Sequence, residues 1–269
     1  MTSVSSTLAA PIEIWPALAS LRRRIAAAER FFLFLDFDGT LAPIVPTPSK
    51  AQMPRGLASI LGTLCARRDV VAAAVISGRA LGDVAARVGL PVIYAGNHGL
   101  EIRGLGLEYA AQVPPQALLQ LFDCCELLRA RLDRFPGAWI EHKQRTATLH
   151  VRHVARFRLP ELEDLLGTAM ANYPELHLRG GKEIFEICPD IPWNKGHAVR
   201  WILRQMRGRE EDAICLGDDI SDEDMFRELS RGITIRVGAT ADSAARYWMA
   251  ETDVLQFFSV LAETAQRVR

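Results

Sequence analysis

Three short runs dominated by apolar residues, at 31–37, 70–76 and 92–95, alternate with segments of helical spacing, and this rhythm limits the fold more than any other feature. Such runs are too short for a helix and lack the in-out alternation of a half-exposed strand. They suit strands covered on both faces. Between the first two runs, residues 54–68 carry Leu57, Ile60, Leu61 and Leu64 at helical spacing, with Pro54 at the start. Residues 80–88 make a shorter helix between the second and third. A β-α-β-α-β order calls for a parallel sheet with helices on its faces.

The rhythm changes after Pro114 and Pro115, where one long helical pattern runs to about Phe135. Strands are predicted at 138–143 and 146–152, close enough to pair as a hairpin. A helix at 160–172 and two strands, 176–179 and 183–188, separated by Gly180 and Gly181, complete a small α+β unit. From Lys195 the alternation resumes: helix 196–206, strand 213–216, helix 222–229, strand 233–237, then terminal helices. The expected architecture is an α/β core, residues 1–111 and 190–269, enclosing an inserted cap at 112–189.

Charge narrows the class of partner. The 32 basic and 32 acidic residues cancel, so no bulk field recruits nucleic acid or an anionic membrane, and any bound anion is held by a local site. No apolar run approaches the ~20 residues needed to cross a bilayer. Residues 1–29 are rich in Ala, Ser and Arg, as a transit peptide would be, but Glu13 and Glu29 argue against one. The stretch from Trp15 reads as the start of an amphipathic helix. Five cysteines without a C-x-x-C pair fit a reducing compartment, hence the cytoplasm.

In an open parallel sheet, ligands bind beyond the carboxyl ends of the strands. The segments there read Asp36-Phe37-Asp38-Gly39-Thr40, Ser77-Gly78-Arg79, Gly96-Asn97-His98-Gly99 and Gly217-Asp218-Asp219-Ile220-Ser221-Asp222. An apolar strand running into Asp36 partly buries that carboxylate, which is costly unless a cation or donors stabilise it. Asp38 lies two positions on and points the same way. Two carboxylates this close do not both stay charged cheaply; a metal relieves one and a proton the other. That division describes a nucleophile, Asp36, beside a general acid–base, Asp38. Gly39 lets the backbone turn away and Thr40 supplies a hydroxyl to an anion.

The acidic group Asp218, Asp219 and Asp222 is an oxygen-rich set that suits Mg²⁺, with Asp222 also able to cap the following helix. Asp36 and the backbone carbonyl of Asp38 complete the expected metal site. Glu223 and Asp224 are explained as first-turn residues favoured by the helix dipole. Lys195 opens the first helix after the cap, where a carboxylate attacking a phosphate dianion needs a second cation. Ser77, with the N–H groups around Gly78, offers donors to phosphate oxygens. Arg79 either grips phosphate or ties the cap down.

The ordered set D-x-D-G-T, S-G-R, a lysine and G-D-D-x-x-D resembles the haloacid dehalogenase-like superfamily of phosphohydrolases. The resemblance implies a Rossmann-like core and an aspartyl-phosphate on Asp36, with Ser77 and Lys195 stabilising the phosphate. A closer likeness is to trehalose-6-phosphate phosphatases. It rests on Gly96-Asn97-His98-Gly99, Ile140-Glu141-His142-Lys143, His150-Val151-Arg152 and the stretch from Gly181-Lys182-Glu183 to Glu186-Ile187-Cys188-Pro189. That likeness implies sugar-hydroxyl contacts from Glu141, Lys143 and Glu186, and substrate contacts from Asn97 and His98. One departure is Cys188, where the family usually has Arg or Lys before the proline.

From the residues alone, Glu141 and Lys143 share one face of a strand, as a sugar clamp or as a cross-strand ion pair. His142 and His150 read as packing or hydrogen-bonding residues. The expected activity is Mg²⁺-dependent hydrolysis of trehalose 6-phosphate, a small-molecule sugar phosphate. Its rivals are a sucrose-phosphate or glycosyl-glycerate-phosphate phosphatase on the same scaffold, and a phosphomutase.

Overall fold

The computed structural model describes residues 10–181, 183–240 and 242–268. The first nine residues of the Ala- and Ser-rich start, and Lys182 of the Gly181-Lys182-Glu183 stretch, lie outside the described residues. The chain divides into two compact units. Residues up to Tyr109 join those from Asn194 onward in the larger, and Ala110–Trp193 form the smaller.

The larger unit begins with β1 (Ile12–Glu13), α1 (Leu18–Ala26), β2 (Phe31–Leu35), α2 (Arg55–Ala66), β3 (Val71–Ile76), α3 (Leu81–Val88), β4 (Ile93–Gly96), β5 (Glu101–Gly104) and β6 (Leu107–Ala110). Every residue of β2 and β3 is buried, as their unbroken apolar runs require. β5 and β6 were not expected from the sequence. Both are four-residue strands at one end of the sheet, with β6 at its edge, and of their residues Ile102 alone is buried.

The smaller unit contains α4 (Pro115–Arg129), β7 (Trp139–His142), β8 (Ala147–His150), α5 (Leu159–Met170), β9 (Leu176–Gly181) and β10 (Ile184–Pro189). Its strands form an antiparallel sheet in the order β7-β8-β10-β9. Leu121, Cys124 and Leu128 of α4 and Leu162 and Leu166 of α5 pack with Ile140, Leu149 and Ile187 in one core. Gly180 and Gly181 pair with Phe185 and Ile184 and so belong to β9, not to the turn expected there. Glu183 instead takes the left-handed backbone at the turn, with φ 60°.

The chain then adds α6 (Lys195–Gln205), β11 (Ala213–Gly217), α7 (Glu223–Glu228), β12 (Ile233–Val237), β13 (Tyr247–Met249) and α8 (Val254–Ala265) to the larger unit. β13 replaces part of the expected run of terminal helices; three residues form a strand there by pairing with β12 and β1. Among the described residues the sheet order is β1-β13-β12-β11-β2-β3-β4-β5-β6. It is parallel from β1 to β4, and β5 is antiparallel to β4. Leu21 and Ile25 of α1, Leu57 and Leu61 of α2, and Phe258 and Leu261 of α8 pack with Phe31, Leu33 and Leu35 of β2. Each such buried Leu or Phe contributes about 1.5–3 kcal/mol of transfer free energy.

Candidate active site

β3, β2 and β11 are consecutive in the sheet, and the residues that follow them are Ser77, Asp36 and Asp218. Neighbouring strands lie about 5 Å apart, so three polar side chains start from adjacent positions along one edge. Asp36 prolongs the ladder, its N–H donating to the Leu216 carbonyl at 3.0 Å. The chain then turns at once: the Phe37 carbonyl accepts from the N–H groups of Leu41 at 3.0 Å and Ala42 at 2.8 Å.

Lys195 is the first residue of α6, and Asn194 caps that helix by accepting the His197 N–H at 3.0 Å. The Lys195 ammonium is buried and donates to Asp36 Oδ1 and Asp222 Oδ1, both at 2.7 Å. Asp36, Asp218 and Asp222 each present an oxygen within 4.8 Å of the others, and all three are buried. Burial raises Asp36 well above the usual carboxylate range; Asp222 and Asp218 push the same way and Lys195 offsets part of the effect. Burial alone would lower Lys195, but Asp222 and Asp36 hold its pKa well above the ordinary value.

Three carboxylates facing one ammonium leave a formal excess of two negative charges, which one divalent cation would balance. The donors are all hard oxygens, the set Mg²⁺ prefers. Gly39 keeps the space open: its φ is +88°, and a Cβ there would lie 2.2 Å from Asp218 Oδ2. The site's residues therefore fit a hard divalent cation.

Two of the five residues expected to hold metal lie outside the triad. Asp219 is half-buried and forms a reciprocal capping box with Asp222, its own N–H donating to Asp222 Oδ2 at 2.9 Å. The Asp218 N–H donates to the same oxygen at 2.9 Å, so Asp222 fixes the whole turn as well as Lys195. The Asp38 side chain is 40% exposed and pairs with Arg79, whose Nε and Nη2 donate to its two oxygens at 2.6 and 2.7 Å. Arg79 also donates to Asp83 at 2.7 Å and the Pro48 carbonyl at 2.9 Å. Burial would lower the guanidinium pKa, but the bonds to Asp38 and Asp83 raise it.

Ser77 is buried and its Oγ accepts the Arg79 N–H at 3.2 Å, the N–H of Gly78 lying between them in sequence. The loop after β4 is stitched to the loop after β3. Asn97 N–H donates to the Arg79 carbonyl at 2.7 Å and His98 N–H to the Ser77 carbonyl at 2.9 Å. Asn97 and His98 are buried in left-handed backbone, φ 49° and 58°, and Asn97 Nδ2 donates to Glu101 Oε2 at 2.8 Å. Such strain in non-glycine residues is paid for by packing and is concentrated at working sites. Thr40 is buried and its Oγ has no hydrogen-bond partner among the described residues.

In the smaller unit Glu141, Thr148, Glu186 and Arg179 stand opposite one another across all four strands and so share one sheet face. Lys143 Nζ lies 3.7 Å from Glu186 Oε1, and both side chains are largely buried. Glu141 Oε2 is 3.0 Å from His150 Nε2, and Trp139 stacks on the His150 ring at 3.8 Å with 8° between planes. His150 is thus a hydrogen-bonding residue, and Cys188 is buried two positions beyond Glu186 on the same strand.

Two residues with structural weight, Asp83 and Arg87, were not singled out from the sequence, and a third, Glu223, was given a lesser role. Asp83 and Arg87 brace Arg79, but an i, i+4 charge pair on a helix reads as an ordinary solvated face. Glu223, read as a dipole residue, is buried. It accepts from Arg236 at 2.9 Å, Ser243 at 2.7 Å and the Ala244 N–H at 2.6 Å. Those partners come from beyond β11, which no local pattern reveals.

The Trehalose-phosphatase family model matches residues 34–252. The chain is 38% identical over 216 residues to the trehalose-phosphate phosphatase of Mycobacterium marinum, a stretch covering 78% of this chain and 54% of that protein. The same identity and coverage hold for the trehalose-phosphate phosphatase of Mycobacterium tuberculosis strain H37Rv. The chain thus spans about half the length of these relatives. Among solved structures, the C-terminal domain of Candida albicans trehalose-6-phosphate phosphatase superposes with TM-score 0.81 at 24% identity, covering 96% of this chain and 99% of that one. Aspergillus fumigatus trehalose-6-phosphate phosphatase, in one crystal form, gives 0.60 at 26% identity, with 95% and 99% covered. A haloacid dehalogenase-like hydrolase from Bacteroides thetaiotaomicron shares the fold, with TM-score 0.60 at 16% identity and 89% and 100% covered. With its α/β fold of the haloacid dehalogenase type, and a family match running from β2 to beyond β13, the chain belongs to the trehalose-phosphatase family.

Proposed function

We propose that the protein hydrolyses trehalose 6-phosphate to trehalose and phosphate through an aspartyl-phosphate on Asp36, with Mg²⁺ as cofactor. The observation that carries this reading is the buried Lys195 ammonium, 2.7 Å from both Asp36 and Asp222, within a cluster of three carboxylates. A carboxylate attacks a phosphate dianion only where positive charge relieves the repulsion, and Lys195 supplies the protein's share. Asp36, Asp218 and Asp222 would hold the cation, with Asp219 shaping their turn and the Asp38 backbone nearby. When bound, Mg²⁺ supplies electrostatic neutralisation of the phosphoryl group.

Asp36 attacks phosphorus while the bond from phosphorus to the sugar oxygen breaks, and Asp38 gives its proton to that departing oxygen. Asp38 then takes a proton from water as the water oxygen attacks phosphorus, releasing phosphate and restoring Asp36. Ser77, Thr40 and the Gly78 N–H are proposed to bind phosphate oxygens; the unpartnered Thr40 hydroxyl favours this for Thr40. Asn97 and His98 hold the loop that frames Ser77. The smaller unit, as the cap, contributes Glu141, Lys143 and Glu186 to the sugar hydroxyls. Family membership favours trehalose over the rival disaccharide phosphates.

No helix among the described residues is long and apolar enough to cross a membrane. Five free, buried thiols fit a reducing compartment, and we propose the cytoplasm. The test of the activity is phosphate release from trehalose 6-phosphate, glucose 6-phosphate and sucrose 6-phosphate, with and without Mg²⁺. Trehalose 6-phosphate should be turned over fastest, chelation should stop it, and added Mg²⁺ should restore it. Equal rates on all three esters, or full activity in chelator, would refute the reading.

A further inference from the structure

Arg79 has five N–H donors, and four are committed: two to Asp38, one to Asp83 and one to the Pro48 carbonyl. Asp83 lies in the first turn of α3, four residues after Arg79, and Arg87 lies one turn further on. Arg87 Nε donates to both Asp83 oxygens, at 3.0 and 2.9 Å. Its Nη1 reaches the carbonyls of Ser49 at 3.0 Å and Ala51 at 2.8 Å. The result is one connected line of alternating charge, Arg87, Asp83, Arg79 and Asp38. It also binds the segment 48–51 that follows the Asp36–Thr40 turn. The two guanidinium side chains are only 11% and 15% exposed, so this line is better defined than a loose surface pair.

Asp38 needs such support. Its carboxylate is 40% exposed, and Arg79 holds both of its oxygens. A general acid must sit within hydrogen-bond reach of the oxygen it protonates, and a small misplacement carries a large loss of rate. Arg79 Nε and Nη2 set the plane of the Asp38 carboxyl, the Pro48 carbonyl holds Nη2, and Asp83 is what holds the opposite nitrogen, Nη1.

We propose that Asp83, braced by Arg87, is a positioning residue for the acid–base Asp38, acting through Arg79. The proposal rests on the role given to Asp38 above. Its consequence is selective. Protonation matters for an alkoxide leaving group such as a sugar and not for p-nitrophenolate, which departs without a proton.

The experiment compares kcat/KM for trehalose 6-phosphate and for p-nitrophenyl phosphate at saturating Mg²⁺ in wild type, Asp83→Ala, Asp83→Asn and Asp83→Glu. The alanine variant should lose about ten-fold or more on the sugar ester, with KM changed by less than about two-fold. Its kcat/KM on the aryl ester should stay within about three-fold of wild type. Asp83→Glu should recover part of the loss, and Asp83→Asn serves if the alanine variant does not fold. Equal losses on both esters, or none on either, would overturn the proposal alone. Wild-type protein inactive toward both esters would overturn the function proposed above and this role with it.

Discussion

Gly39 and Asp218 share a space that one methyl group would close: a Cβ at Gly39 would fall 2.2 Å from Asp218 Oδ2. The backbone at Gly39 is also left-handed, φ +88°, a region that costs other residues about 1–2 kcal/mol. Gly39→Ala should therefore displace Asp218 from Asp36 and weaken Mg²⁺ binding and turnover together, each by about ten-fold or more. Titration calorimetry with Mg²⁺ and phosphate-release assays check this. An alanine variant that binds Mg²⁺ as tightly as wild type would contradict it.

Lys195 is a buried cation between two buried carboxylates. Removing one partner of such a cluster leaves uncompensated charge and typically costs about 3–5 kcal/mol. Lys195→Ala should lose that much stability in urea unfolding done in chelator, and turnover should vanish. Added Mg²⁺ should restore part of the stability but none of the activity, since it balances the carboxylates without replacing the ammonium.

Much of this site was legible because the strands announce themselves. β2, β3 and β11 are continuous apolar runs, and the residue after each is Asp36, Ser77 or Asp218. Glu141, Lys143 and Glu186 were proposed from a family likeness more than from spacing. What stayed hidden depends on partners far along the chain. Arg79 reads as a phosphate grip or a tie to the cap, and nothing local to it shows its bonds to Asp38 and Asp83. Glu223 reads as a dipole residue until Arg236 and Ser243 arrive from later segments. β13 exists only because β12 and β1 flank three residues that have no strand pattern of their own.

Glu186 is buried beside Lys143 on the polar face of the smaller sheet. If this face holds the sugar, Glu186→Gln should raise KM for trehalose 6-phosphate by about ten-fold, because the charged acceptor contributes about 1.5–3 kcal/mol to a hydroxyl hydrogen bond. Kinetics on p-nitrophenyl phosphate, which has no sugar, should not change. Parallel losses on both esters would point to a structural role for Glu186.

Burial pushes the Cys65 and Cys124 thiols up to about 11 and those of Cys125 and Cys188 to about 12. Burial likewise raises Cys215 well above its ordinary value. Since the thiolate is the reacting form, a raised pKa means less of it: at pH 8 roughly one thiol in a thousand for Cys65 and Cys124 and roughly one in ten thousand for Cys125 and Cys188, against about a quarter of a free cysteine. The folded protein at pH 8 should label slowly with a thiol reagent and all five cysteines rapidly once denatured. Fast labelling of Cys188 in the native state would show that the smaller sheet opens.

The central claim is that Asp36 carries the phosphoryl group in transit. Acid quenching during turnover of trehalose 6-phosphate, followed by borohydride reduction and peptide mapping, reads this directly, because borohydride converts a phosphorylated carboxyl to a primary alcohol. The modification should appear at Asp36 in wild type and be absent from Asp36→Asn. Steady turnover with no reduced residue at Asp36, or with the reduced residue at another carboxylate, would contradict the account.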